Sequence, residues 1–154
     1  MKSVSVVLNK YFYIYLIQTI LFIRQNKYGG KMNLVNEDLT YKIIGCCMEV
    51  HNNLGKGFNE IVYKDAVEYE FNQKNIFYKR ESEFKIKYKN IVLSHSYFAD
   101  FVVFDKIILE IKAVESITNS HIKQTLNYLA AAGLQLGLII NFGEDSLKHK
   151  RIIL

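Results

Sequence analysis

Ile107-Ile108-Leu109-Glu110-Ile111-Lys112-Ala113 has the composition of a buried strand, yet it carries a carboxylate and an ammonium in its interior. A second apolar run, residues 97–104, precedes it and holds Asp100 in the same costly position. Acids set into apolar strands have no cheap structural role, so the conflict points to a site. Side chains alternate along a strand, which puts Glu110 and Lys112 on one face with Ile108 and sends Leu109 and Ile111 the other way into a core. A carboxylate and an ammonium so placed can hold a metal and a water side by side.

Whether Asp100 and Glu110 meet depends on the turn between the two runs. A two-residue loop at Asp105-Lys106 would pair Phe104 with Ile107 and set Asp100 opposite Ile111, leaving the two acids on opposite faces of the sheet. A three-residue loop, Phe104-Asp105-Lys106, shifts the register by one and places Asp100 directly across from Glu110. A bulge between Phe101 and Phe104 would achieve the same. A shared site therefore needs an odd loop or a bulge. The segment lacks the Gly that usually marks one, so Asp105 or Lys106 is expected to accept a left-handed conformation.

Upstream, Asn36-Glu37-Asp38 reads as a helix start, and Leu39, Ile43, Cys47 and Val50 recur at helical spacing until Gly55. His51, in the last turn, is read as packing or facing the helix end in preference to lining a site. Gly57-Phe58-Asn59-Glu60-Ile61-Val62-Tyr63 opens a second helix to about Gln73, with Val62, Ala66 and Tyr69 as the expected buried stripe. Glu60 and Tyr63 lie on another face. Glu60 has two readings: with Gly57 as N-cap it falls at the third helical position and could simply cap the helix, or it could be an accessory acid. Residues from Glu81 alternate with period two, Phe84, Ile86 and Tyr88 against Glu83, Lys85, Lys87 and Lys89. The lysines are read as a solvated strand face in preference to a binding patch.

After the central strand, residues 116–132 form the expected third helix, capped by Thr118 or Asn119, burying Ile122, Leu126 and Leu129 and ending at Gly133. His121, Gln124 and Tyr128 project together from it. Residues 136–143 complete the pattern as a buried strand. The order α-α-β-β-β-α-β predicts an α/β fold with a mixed sheet of about four strands flanked by helices.

The 154 residues, half of them apolar, suffice for one ordinary domain. The formal charge of +5 is weak support for nucleic-acid binding, because residues 1–31 hold five basic and no acidic residues. The rest of the chain balances. Adjacent Cys46 and Cys47 suit neither a mutual disulfide nor a metal site and read as small helix residues in a reducing, cytoplasmic setting.

Residues 11–23 form an apolar run interrupted by Gln18 and Thr19, short of a membrane span, and Arg24-Gln25-Asn26-Lys27 follows where a signal peptide would show small residues. Gly29-Gly30-Lys31-Met32 is what a purine-rich ribosome-binding site before a start codon gives when translated in frame. Residues 1–31 are therefore expected to be an extension outside the fold, with the domain at 32–154; a membrane-binding or partner-binding segment and a true part of the fold are the competing readings.

Together these residues resemble a known family. Gly57 to Tyr63 is similar to the pattern that names the GxxExxY proteins, and the match continues through Ala99-Asp100, Glu110-Ile111-Lys112, Gln124 to Tyr128 and Leu138 to Phe142. That family resembles the PD-(D/E)XK nuclease superfamily, which implies a restriction-endonuclease-like core. By position, the resemblance makes Asp100 and Glu110 metal ligands with the Ile111 carbonyl, and Lys112 the residue that orients or activates the attacking water. It makes Glu60 an accessory acid, with Gln124 and Tyr128 as further contributors. Ala99 stands where Pro would precede the Asp, and Pro supplies no ligand. The implied function is a Mg²⁺-dependent nuclease, with Mn²⁺ as substitute, acting on DNA or RNA. A catalytically silent nucleic-acid-binding or interaction module on the same fold is the alternative. Without metal, the crowded acids should raise at least one carboxyl pKa.

Overall fold

Residues 36–154 are described in the structure, a computed structural model; the expectations for residues 1–31 lie outside them. Asn36, Glu37 and Asp38 begin α1 (Glu37–Leu54), with the acids in the first turn where the helix dipole favours them. The helix ends as expected at Gly55, whose N–H closes the last bond to the His51 carbonyl and whose positive φ turns the chain away. Helix α2 (Glu60–Gln73) follows a short loop, and its cap is Asn59, not Gly57. Glu60 is thus the first helical residue, so the third-position cap read from the sequence does not form.

The buried stripe of α2 also differs from the expectation. Tyr63, Val67 and Phe71 face the core, while Tyr69 is exposed. The shift follows from Tyr63, whose ring stacks on Phe142 at 4.4 Å between centroids. Its hydroxyl donates to the Gly55 carbonyl (2.9 Å) and accepts from the Phe58 N–H (3.2 Å), tying the loop to the helix. Gly57 holds a φ of 112° in that loop, which only glycine adopts without strain. One aromatic residue therefore orients α2 and fixes its approach.

Five strands follow: β1 (Tyr78–Tyr88), β2 (Ile91–Val103), β3 (Ile107–Lys112), then after α3 (Asn119–Ala132) β4 (Leu136–Asn141) and β5 (Lys148–Ile153). They form one mixed sheet in the order β1-β2-β3-β4-β5, in which only the β3–β4 pair is parallel and α3 makes the crossover. The expected sheet of about four strands lacked β5. That strand begins Lys148-His149-Lys150 and is exposed over most of its length, so it shows neither alternation nor an apolar run; it closes the edge of β4 instead.

Helices α1 and α2 cover one face of the sheet, packing on Phe101, Leu109, Ile111, Leu138 and Ile140. Helix α3 covers the other with Tyr128 and Leu129 against Ile108 and Ile139. The predicted alternation of β3 is thus observed. Cys46 and Cys47 are buried free thiols of α1, and burial pushes both up from the ordinary thiol range. His51 packs, as read, stacking on Phe142 with Nε2 at the Glu144 carbonyl. Among the described residues no helix is long and apolar enough to cross a membrane.

Candidate active site

Val103 pairs with Ile107, so the turn is the three-residue loop Phe104-Asp105-Lys106. Phe104 and Asp105 both take left-handed backbone, and the Lys106 N–H donates to the Val103 carbonyl. Lys106, the other expected left-handed candidate, does not take it; Phe104 does, held by its N–H bond to the Phe77 carbonyl of the neighbouring segment. This is the odd register, which sets Asp100 across from Glu110.

The β2–β3 ladder ends one residue before that pair, at Phe101 and Leu109. Two backbone donors near the splay are met by the acids themselves. The Asp100 N–H donates to Glu110 Oε1 (3.3 Å), and the Ile111 N–H donates to Asp100 Oδ2 (2.8 Å). Each carboxylate thus spends one oxygen on the opposite strand, which fixes its position. The remaining oxygens meet ammonium groups: Lys64 Nζ lies 2.6 Å from Asp100 Oδ1, and Lys112 Nζ lies 3.4 Å from Glu110 Oε2.

A model of the PD-(D/E)XK nuclease superfamily matches residues 37–152, from the start of α1 into β5. The chain belongs to the PD-(D/E)XK nuclease superfamily. Among solved structures, the crystal structure of SSO0001 is 16% identical over 78% of this chain and 80% of its own, with a TM-score of 0.44. An alkaline exonuclease (LHK-Exo) from Laribacter hongkongensis is 14% identical over 75% of this chain and 68% of its own, with a TM-score of 0.46. No curated protein matches the sequence.

In this PD-(D/E)XK chain the two acids are buried, Asp100 at 8% and Glu110 at 2% exposure, so their charges interact through protein more than through water. Burial first, then repulsion from Asp100, pushes the Glu110 carboxyl up to about 7 against the pull of Lys112. A raised carboxyl pKa was the sequence expectation for metal-free acids. Lys64 is held above the ordinary lysine range: burial opposes its charge, and its bonds to Asp100 and Glu81 outweigh that.

Gln124 and Tyr128 come together on α3, with Gln124 Nε2 donating to the Tyr128 hydroxyl (2.7 Å). The Tyr128 phenol is pushed up by burial and then by the Glu110 charge, which places it in the electrostatic reach of the acids. His121 is bonded instead to the start of α3, its Nδ1 accepting the Thr118 N–H in a capping box. Glu60 stands one turn before Lys64 on α2. Among the described residues no group of three acids, histidines or cysteines is placed to hold one ion.

Two residues at the site escaped the sequence reading. Lys64 was readable only as one turn after Glu60, and Glu81, which holds Lys64 at 3.1 Å, only by counting β1 against β2. Arg80 pairs with Phe101 and Ser82 with Ala99, which puts Glu81 beside Asp100. Neither signal exists before the sheet is assembled.

Oxygen donors of this kind are those a hard divalent cation takes. Asp100 and Glu110 each present one carboxylate oxygen already matched to a positive charge, and Mg²⁺ commonly takes only one or two carboxylates and keeps several waters. The Ile111 carbonyl belongs to the same strand end.

Proposed function

We propose that the protein is a metal-dependent nuclease of the GxxExxY type, hydrolysing phosphodiester bonds of DNA or RNA. One observation carries the reading: the three-residue turn that sets Asp100 across from Glu110, with Lys112 bonded to Glu110 from the same strand. Asp100, Glu110 and the Ile111 carbonyl would hold Mg²⁺ or Mn²⁺. When bound, such an ion acidifies a water and neutralises the scissile phosphate. Lys112, on the strand that presents Glu110, orients the attacking water or offsets charge on the phosphate. Lys64 keeps Glu81 as a charge partner when Asp100 turns to another cation, so it need not be left buried and unpaired. Tyr128 and Gln124 border the site from α3 and are proposed to position substrate.

The test is hydrolysis of single- and double-stranded DNA and RNA with Mg²⁺ or Mn²⁺, compared with Asp100→Asn. Cleavage by the wild type and loss in the variant is the expected result. Activity retained in Asp100→Asn would remove Asp100 from the chemistry. The competing reading, a silent nucleic-acid-binding module, draws on Lys64 sitting at Asp100; binding without cleavage under every metal would establish it.

Glu60 is proposed as an accessory acid acting through its place one turn before Lys64. Glu60→Ala should weaken metal binding, read as a smaller rise of Tm with Mg²⁺. Unchanged metal response with stability lower by about 1 kcal/mol would instead assign Glu60 to the helix start alone.

A further inference from the structure

Strands β1 and β2 continue as a two-stranded arm beyond the rest of the sheet. β3 leaves β2 after Phe101, whereas β1 and β2 stay paired from Tyr78 and Val103 out to Tyr88 and Ile91 at the tip. A bare ribbon of this kind has little of its own to hold it, and here it exposes Tyr88, Ile91, Val92, Leu93 and Phe98.

Cross-strand partners share a face, which sorts the arm. Phe84 pairs with Tyr97 on one side of the register shift between Lys85 and Lys87, and Tyr88 pairs with Ile91 beyond it; alternation along β1 puts Phe84 and Tyr88 on one face. That face is continuous with the site: Phe84 packs against the cluster under α3, and the Tyr97 ring lies 5.3 Å from Tyr128. Lys85 and Lys87 belong to the other face, where Val92 pairs with Lys87 and Phe98 with Glu83, and Lys89 sits in the tip turn with its ammonium 5.4 Å from the Tyr88 ring centroid. Between Phe84 and Ala99 there is no acidic residue.

We propose that this arm guides substrate to the acids, taking an unpaired stretch of polynucleotide whose bases stack on Tyr97 and Tyr88 and whose phosphates pair with Lys85, Lys87 and Lys89. The proposal rests on the nuclease reading above and adds the strandedness of the substrate and the surface that holds it. Among the described residues β1 is an edge strand of the sheet, so the stems of Lys85 and Lys87 can carry their charges around it toward a backbone lying on the aromatic face. Lysines on an edge strand also discourage strand addition, and that accounts for them alone. It leaves the exposed aromatic and aliphatic side chains without a role. A second copy of the arm would bring Lys85, Lys87 and Lys89 against one another, with Glu83 the nearest acid on that face of β1. A duplex keeps its bases stacked on one another, so only unpaired bases offer faces to tyrosine.

Binding is measured by fluorescence anisotropy with fluorescein-labelled oligothymidylate and oligouridylate of about 20 nucleotides, and with a blunt duplex of the same length. The wild type should prefer the single strands. Lys85→Ala/Lys87→Ala/Lys89→Ala should lower the slope of log affinity against log salt by about 2. Tyr88→Ala, at the tip and away from the core, should weaken binding about tenfold, with Tyr88→Phe restoring it. Thermal melts of each variant separate loss of binding from loss of fold, and Lys→Arg replacements provide a charge-preserving set. Wild-type cleavage with unaltered affinity and salt slope in the arm variants would overturn this proposal and leave the nuclease reading standing. Arm-dependent binding without cleavage would do the reverse. Duplex preference would overturn the assignment to unpaired strands, and a concentration-dependent dimer lost in Tyr88→Ala would give the arm to a second copy.

Discussion

Glu110→Gln is expected to flatten a fall in stability that the metal-free wild type shows between about pH 4.5 and 7. The Glu110 carboxyl ionises near 4.5 when exposed and at about 7 in the fold, where burial and then Asp100 oppose its charge. The folded state therefore binds more protons than the unfolded state inside that window, and stability drops as pH rises through it. Below the window the contribution is fully present; above it the fold carries a buried charge. A shift of this size corresponds to roughly 3 kcal/mol. Glutamine does not titrate, so the difference between the two proteins reports the ionisation of Glu110 together with its coupling to Asp100. Mg²⁺ should raise the Tm of the wild type most above pH 7, where Glu110 is ionised, and leave Glu110→Gln unmoved. Urea melts across pH 5 to 8 with and without Mg²⁺ measure both. The same pH slope in both proteins, or an equal metal response, would take Glu110 out of the proposed site.

Gly143→Ala should be among the most damaging single substitutions outside the acids. A Cβ there would lie 2.2 Å from the Val114 carbonyl oxygen and 2.5 Å from its nitrogen, both backbone atoms that no rotamer change can move. The crowding is built in. Asn141 is wholly buried, and its amide accepts the Val114 N–H (3.0 Å) and donates to the Val114 carbonyl (2.8 Å). The Phe142 N–H donates to the Lys112 carbonyl (2.7 Å) beside it. Making room would separate these segments, break that lacing and displace the end of β3 that presents Lys112. The expected loss is about 4 kcal/mol or more, seen as a protein with no cooperative melt or a much lower Tm. Gly45→Ala is the control, since an added Cβ on α1 meets nothing within 4 Å and should stabilise by about 0.5 to 1 kcal/mol. A Gly143→Ala protein that melts like the wild type would show that β3 and the segment after β4 are less tightly bound than these distances imply.

The core strands were legible in the sequence because they are buried on both faces, which leaves continuous Val, Ile and Leu runs in which an acid stands out. Asp100, Glu110 and Lys112 were found that way, and strand alternation alone put Glu110 and Lys112 opposite Leu109 and Ile111. The helix start at Asn36 and the stops at Gly55 and Gly133 were equally local, since caps depend on a few adjacent residues. What the sequence left open was decided by contacts between distant segments. Two loop lengths were compatible with Asp105-Lys106, and only the paired strands, with Phe104 bonded across to Phe77, selected the one that brings the acids together. The rotation of α2 was set by Tyr63 stacking on Phe142, far along the chain, and so the stripe expected from helical periodicity moved. Strand β5 had no pattern of its own because an edge strand buries little, and Lys64 and Glu81 joined the site only when α2 and β1 were laid beside β2. Periodicity and capping act within a few residues, whereas register, helix rotation and charge pairing are fixed by the packing of the whole sheet.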